Sequence, residues 1–182
     1  METALVKRFL FLCLFGSVLL GFVTSAQAFN GERKGFVFGG GMGVGSAHTS
    51  RNNDADFAGL SLDAKLGYGL SHKFIVYLSA KTLLVNDTMD KYFISNPAAS
   101  ASYYFSDFGS SFYLSGGLGL RVISAQRWLG GSGDFTGPSG FLGAGYELGP
   151  GFSIEGFIIY SDITDADFTV TSTGLTLNFL GY

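Results

Sequence analysis

The feature that most constrains the fold of this chain is a two-residue alternation between large apolar side chains and small or polar ones. Between Ala58 and Leu70 every even position is apolar, whereas the odd positions hold Gly, Ser, Asp or Lys. Successive side chains of a β-strand point to opposite faces, so this pattern predicts a strand with one apolar and one polar face. Seven other segments alternate similarly, two of them less regularly. The eight predicted strands are 35–45, 58–70, 73–84, 97–105, 112–122, 139–148, 152–161 and 168–182.

The connections between the predicted strands alternate in length. Three are short, at 71–72, 106–111 and 149–151. The others are longer, at 46–56, 86–95, 124–136 and 162–167. Up-and-down barrels in outer membranes have this arrangement, with short periplasmic turns and longer outer loops. The chain therefore predicts an all-β fold, an eight-stranded antiparallel up-and-down transmembrane β-barrel.

Composition decides which face of the barrel points outward. Charged residues are 14% of the chain, below the roughly 25% of a soluble domain. Eight strands enclose a lumen that side chains or one small ligand can fill, and the small residues of the polar face suit that space. The apolar face would be a very large exposed patch in water. We therefore predict that this face contacts lipid, while closure of the barrel pairs every strand edge.

Aromatic residues recur at the short-turn end of the predicted strands. In a folded barrel they would form a girdle at the membrane interface. The predicted girdle comprises Phe36, Tyr68, Phe74, Tyr103, Phe105, Phe112, Tyr146, Phe152, Phe179 and Tyr182.

The first 28 residues have the pattern of a secretory signal peptide. Lys7 and Arg8 precede an apolar stretch over 9–23, and Ala26-Gln27-Ala28 is a small-residue cleavage site. An inner-membrane helix is the alternative, but the apolar stretch is short for a span. The barrel domain is then expected over residues 29–182, in the outer membrane of a double-membraned bacterium.

Other function classes are disfavoured by what the chain lacks. Cys13 is the one cysteine and lies in the signal peptide, so the mature chain has no thiol for a disulfide, a metal or catalysis. The formal net charge of −3 offers no basic surface for nucleic acid. No Walker, GxSxG or HExxH motif is present. We therefore expect no cofactor, no metal and no nucleic-acid partner.

The whole predicted barrel resembles the small eight-stranded outer-membrane proteins of the OmpA and OmpX type. This resemblance implies a monomer that contacts outer-membrane lipid and lipopolysaccharide. Chains of that family usually end in an aromatic residue read by the barrel-assembly machinery, a role that Tyr182 fits. One departure is that Tyr182 is out of phase with Leu177 and Phe179, which a bulge near Leu180 or an early strand end would reconcile.

Charged residues on the polar face are candidates for chemistry in the lumen. A buried charge must be paired, because an unpaired one costs several kcal/mol. Our first interpretation is an ion-pair network that plugs and stiffens the barrel, and the alternative is a switchable gate for ions. The residues are Asp63, Lys65, Lys81, Arg121, Glu147 and Glu155.

The predicted outer loops carry two candidate sites. His48 and Ser50 resemble the H-x-S pair of the lipid A deacylases, in which the His activates the Ser. Those enzymes carry the pair on a lipid-facing strand near an acidic residue, whereas here we expect it in a loop. Arg127 and Trp128 in the third loop are a candidate recognition surface.

These observations favour a structural, adhesive or envelope-maintenance role without catalysis. Two alternatives stay open. One is a narrow conduit for small or hydrophobic molecules, as in the OmpW-like relatives, and the other is a lipid A-modifying enzyme that uses His48 and Ser50.

Overall fold

The structure is a computed structural model that describes residues 33–50, 55–86, 90–107, 109–127, 131–149, 151–163 and 167–182. The predicted signal peptide lies outside these residues. The strands are β1 Gly35–Ser50, β2 Ala55–Gly69, β3 Phe74–Asn86, β4 Asp90–Tyr104, β5 Phe112–Arg127, β6 Gly131–Gly149, β7 Phe152–Ile163 and β8 Phe168–Gly181.

All eight strands form one closed antiparallel barrel in chain order. Each strand pairs with its neighbours along the chain, and β1 closes the barrel by pairing with β8 over Phe38 to Ser50. The predicted all-β, eight-stranded up-and-down barrel is therefore confirmed. Within the described residues there is no helix long and apolar enough to cross a membrane.

Most strands are longer at the outer end than the sequence pattern predicts. The segment 46–56, predicted as a loop, is mostly strand, because β1 runs to Ser50 and β2 begins at Ala55. Likewise β4 begins at Asp90 instead of residue 97. The strand β5 continues to Arg127, and β6 already begins at Gly131. The predicted long outer loops at 46–56, 86–95 and 124–136 are thus wrong.

The sequence pattern missed these extensions because the apolar side chains, which point outward in the middle of the strands, point inward at the outer end. In the middle of β1, Val44 is exposed on the outside, whereas Ala47, nearer the outer end, is buried in the lumen. The buried cluster at this end comprises Ala47, Leu83, Val85, Ile94, Ile123, Ile163 and Val170. Above the hydrocarbon, water surrounds the barrel, so apolar side chains are more stable inside it. We call these residues the outer apolar layer.

The alternation of β8 continues to Leu180, and the strand ends at Gly181. Leu177 and Phe179 are exposed, whereas Asn178, Leu180 and Tyr182 are buried. Tyr182, the residue after β8, points into the barrel, and the pairing of β8 with β1 has no bulge near Leu180. The irregularity lies elsewhere, between Glu147 and Gly149 where β6 pairs with β7.

Glycines on the inward face of β1 allow β8 to lie close. A Cβ atom added to Gly43 would lie 2.7 Å from the Cα of Thr176, which a real Cβ cannot tolerate. Outward-facing Gly40 is different, because its added Cβ would meet nothing nearer than 3.4 Å. The inward glycines thus keep the lumen narrow enough for side chains to fill it.

Candidate functional site

Four charged side chains form a compact layer in the middle of the lumen. Asp63 and Lys65 lie on β2, Lys81 lies opposite Asp63 on β3, and Glu155 comes from β7 across the barrel. Lys81 Nζ lies 2.7 Å from Asp63 Oδ2 and 2.8 Å from Glu155 Oε1. Lys65 Nζ lies 2.7 Å from Glu155 Oε2 and 3.3 Å from Asp63 Oδ2. All four are buried, so two positive and two negative groups balance one another. We call them the charged layer.

Neighbouring side chains complete the contacts of the charged layer. Tyr113 Oη donates a hydrogen bond of 3.0 Å to Glu155, and Ser115 Oγ donates a longer one of 3.4 Å. The ammonium of Lys81 lies 4.6 Å from the ring centre of Phe157, within cation–π range. Because Glu155 accepts from two ammonium groups and two hydroxyls, removal of its charge would affect every other member of the layer.

A second charged cluster closes the short-turn end of the barrel. Arg33 and Glu147 are buried and form an ion pair there, in which Arg33 Nε donates to Glu147 Oε2 at 2.9 Å. The same guanidinium donates to the carbonyl oxygens of Ser106 at 2.7 Å and of Gly109 at 2.8 Å, so it ties down the turn between β4 and β5. Sequence reasoning missed Arg33, because it precedes the first strand and belongs to no alternating pattern.

Tyr182 belongs to this second cluster and not to the aromatic girdle, and we call Arg33, Glu147 and Tyr182 the base cluster. Its side chain is 5% exposed, and its hydroxyl donates a hydrogen bond to Glu147. Burial, together with this hydrogen bond to Glu147, raises the pKa of Tyr182 above its ordinary value. The predicted girdle position of Tyr182 is therefore wrong, because the alternation of β8 turns the last residue inward.

Glu147 and Arg121, two of the six predicted lumen charges, lie apart from the charged layer. Glu147 is in the base cluster. Arg121 is buried but lies within ion-pairing distance of no carboxylate of the described residues. Its Nε donates to Ser161 Oγ at 3.2 Å and its Nη2 to Ser172 Oγ at 3.1 Å. The prediction that Arg121 takes part in the ion-pair network is wrong in this structure.

Side chains fill the lumen in successive layers along the barrel. An aromatic and aliphatic cluster that includes Tyr104, Tyr113 and Tyr182 lies at the short-turn end. The charged layer follows, and the outer apolar layer fills the other end. Close packing of this kind leaves few voids larger than a water molecule.

The outside of the barrel carries the other predicted girdle residues. Phe74 pairs across strands with Tyr103, and Phe112 with Tyr146, the latter with ring centres 4.7 Å apart. These rings lie at the short-turn end, below a wide belt of exposed aliphatic side chains. The belt includes Met42, Val44, Leu66, Leu78, Leu114, Leu118, Leu142, Ile158, Leu175 and Leu177.

His48 and Ser50 lie on a strand and not in the predicted loop. Both belong to the exposed outward face of β1, and His48 pairs in register with Asp56 of β2. The imidazole Nδ1 lies 2.7 Å from Asp56 Oδ1. The predicted loop position of the pair is therefore wrong, and the structure also gives His48 an acidic neighbour.

The other predicted outer site is described only in part. Arg127 is the last residue of β5 and pairs in register with Asp90 of β4, whereas Trp128 lies outside the described residues. Among the described residues, no group of three or more His, Cys, Asp or Glu side chains is arranged to hold a metal ion.

Small outer-membrane barrels are among the solved structures that resemble this barrel. Ail, the attachment invasion locus protein of Yersinia pestis, superposes with a TM-score of 0.57 at 15% identity, over 81% of this chain and 99% of that one. The Neisserial surface protein A gives a TM-score of 0.55 at 18% identity, over 79% of this chain and 96% of that one. Ail in complex with the heparin analogue sucrose octasulfate gives a TM-score of 0.53 at 15% identity, over 80% of this chain and 99% of that one. No family model and no curated protein matches the sequence.

The fold is that of the small eight-stranded outer-membrane β-barrels. Its wide exposed aliphatic belt can be stable only against lipid. The chain thus has the fold of an outer-membrane β-barrel and a lipid-facing belt, as the alternation predicted.

Proposed function

We propose that this protein is a closed structural barrel of the outer membrane, without a catalytic or conducting role, whose outer strand ends serve envelope maintenance or attachment. The observation that supports this proposal most is the lumen, which the base cluster, the charged layer and the outer apolar layer fill in turn. An ion that crossed the barrel would have to break several buried ion pairs and enter an apolar layer. Either step costs several kcal/mol.

The similar structures suggest what the outer strand ends contact. Ail is an attachment invasion locus protein, and it has been crystallised with a heparin analogue. In this chain the described outer ends expose Asp56, Asp162 and Asp167. Because these carboxylates would repel a polyanion, we propose outer-membrane lipid and lipopolysaccharide as the surroundings, with insertion by the barrel-assembly machinery through β8.

Bilayer recordings test the closed-barrel proposal against the narrow-conduit alternative. We expect the refolded protein to give no steady conductance above that of a protein-free bilayer. An open porin refolded in the same way is the positive control. A steady conductance that Arg121→Ala abolishes would contradict the proposal, because ions would then pass through the lumen beside Arg121.

A second candidate function, ester hydrolysis, is favoured by the contact between His48 and Asp56. Asp56 accepts a hydrogen bond from the Nδ1–H of His48, which fixes the tautomer and leaves Nε2 as the basic nitrogen. Ser50 lies two residues further on the same face, about 7 Å away along the strand. A His that is held by an acid activates a Ser within hydrogen-bond reach, so this function requires His48 Nε2 to turn toward Ser50.

The position of these residues defines the substrate class. On β1, His48 lies four residues from Val44 toward the outer end, and on β2, Asp56 lies four residues from Leu60 in the same direction. Val44 and Leu60 are both exposed on the belt. This height corresponds to the headgroup boundary, where acyl esters of outer-leaflet lipids lie. Ser50 Oγ would attack the ester carbonyl as His48 takes its proton. The proton then passes to the leaving alcohol, and water hydrolyses the acyl-serine to a free fatty acid.

Mass spectrometry of lipid A from expressing cells tests this second function. Hydrolysis predicts loss of one acyl chain, and Ser50→Ala is expected to lower that loss by at least about 100-fold. Ser46→Ala is the matched control, because Ser46 lies on the same face of β1 but bonds to Thr173. An unchanged acyl pattern in cells that express the folded wild-type barrel would exclude lipid A as the substrate and leave the structural role as the conclusion.

A further inference from the structure

Among the described side chains of the lumen, the charges do not sum to zero. Lys65 and Lys81 are balanced by Asp63 and Glu155, which leaves the guanidinium of Arg121 in excess. Arg121 is 1% exposed, and its hydrogen-bond partners are two neutral hydroxyls. A buried charge without a counter-charge costs several kcal/mol. Some negative group is therefore needed near Arg121, and the described side chains do not provide it.

A second observation points to the same place. Asn96 is 0% exposed, and both its amide nitrogen and its amide oxygen lack a hydrogen-bond partner. It pairs in register with Lys81 on β3. On its other side, the register of β4 with β5 pairs Ser95 with Val122 and Ala98 with Gly119, which brings Asn96 opposite Arg121. An unsatisfied buried amide thus lies between two cationic residues.

A small cavity adjoins Lys81 and Arg121, the two cationic residues on either side of Asn96. Lys81, Arg121, Ser61 and Ser172 line it on the polar side, and Leu83 and Ile159 line it on the apolar side. The space holds roughly one particle of the size of a water molecule. A carboxylate or phosphate ligand is too large for this space, whereas a small monatomic anion is close in size.

We infer that the lumen contains a binding site for a small monovalent anion of the halide class, held by Arg121 and Lys81. The anion supplies the missing negative charge between the two cationic side chains. Water would satisfy the hydrogen bonds but leave the positive charge uncompensated. The site lies between the charged layer and the outer apolar layer, so the bound anion is structural and does not pass through the barrel.

Thermal unfolding of the refolded barrel in detergent tests this site. At constant ionic strength, exchange of gluconate for chloride is expected to raise the melting temperature by roughly 3 °C. Arg121→Gln is expected to abolish the difference between the two anions. Lys73→Gln is the control, because Lys73 is an exposed cation at the short-turn end and its replacement should leave the difference intact.

The most selective variant is Asn96→Asp, which has the same shape and places a carboxylate opposite Arg121. It is expected to raise the melting temperature in gluconate and to remove the response to chloride. Crystals grown from protein refolded in bromide, so that the anion can enter before the barrel closes, should show an anomalous peak beside Arg121 in the wild type. No such peak, or an equal chloride response in wild type and Arg121→Gln, would overturn the inference and identify the particle in the cavity as water. The crystal measurement decides even where a variant does not fold.

Discussion

Glu155→Gln is expected to lower the free energy of unfolding by about 3–5 kcal/mol, the usual cost of removing one partner from a buried ion pair. The carboxylate accepts from Lys65 and Lys81 at 2.7 and 2.8 Å, with all three groups buried. After the change, two ammonium groups share the single charge of Asp63. The excess positive charge then joins that of Arg121 in a space without water to solvate it. Urea unfolding of the barrel in lipid vesicles measures the effect.

Two further variants separate this electrostatic cause from a general loss of packing. Asp107→Asn removes an ion pair with Lys73 of 3.4 Å that is half-exposed, so its cost should stay below about 1 kcal/mol. The double variant Glu155→Gln with Lys81→Gln restores neutrality between Asp63 and Lys65. It should therefore cost clearly less than the sum of the two single changes. Strict additivity would show that the charged layer does not act as a unit.

Leu118→Arg is expected to destabilise the barrel by about 2–4 kcal/mol, as a cation does at the middle of the bilayer on the lipid face. Leu118 is 77% exposed, so in water the same change would cost almost nothing. It lies six residues above Phe112 of the aromatic girdle, which places it near the centre of the belt. Unfolding by urea in vesicles, or the heat-dependent shift on gels, measures the loss.

Thr136→Arg is the matched change at another height. Thr136 is also exposed on the outside and pairs in register with Val122, further toward the outer end. Near the interface an arginine costs about 0–1 kcal/mol. Equal effects of the two arginines, or a variant Leu118→Arg as stable as the wild type, would contradict the membrane position that the exposed belt indicates.

The fold itself could be predicted because its determinants are local. In β2, the apolar residues from Leu60 to Tyr68 and the polar ones from Ser61 to Lys65 follow from a period of two, which needs no knowledge of any other strand. The burial of Asp63, Lys81 and Glu155 follows from the same parity. The pattern failed where the surroundings of the barrel change. At the outer end of β1 the outward residues, His48 and Ser50, are polar because this end lies beyond the hydrocarbon, where an apolar side chain would face water.

The partners of the charged groups could not be predicted. Asp63 and Glu155 are separated by more than ninety positions in the chain and meet because closure of the barrel brings β7 opposite β2 and β3. Glu147 has the same parity and charge as Glu155, yet it binds Arg33 and Tyr182 at the base. Which carboxylate meets which cation depends on the stagger between strands.

The alternation of residues by itself thus determined an eight-stranded barrel with its apolar face in lipid and its charges in the lumen. Only the tertiary structure decided that Arg121 lies without a carboxylate, that Tyr182 points inward, and that His48 contacts Asp56. The physical reason is that side-chain direction is set by the backbone within one strand, whereas each contact across strands or across the lumen depends on the register with which the sheet closes.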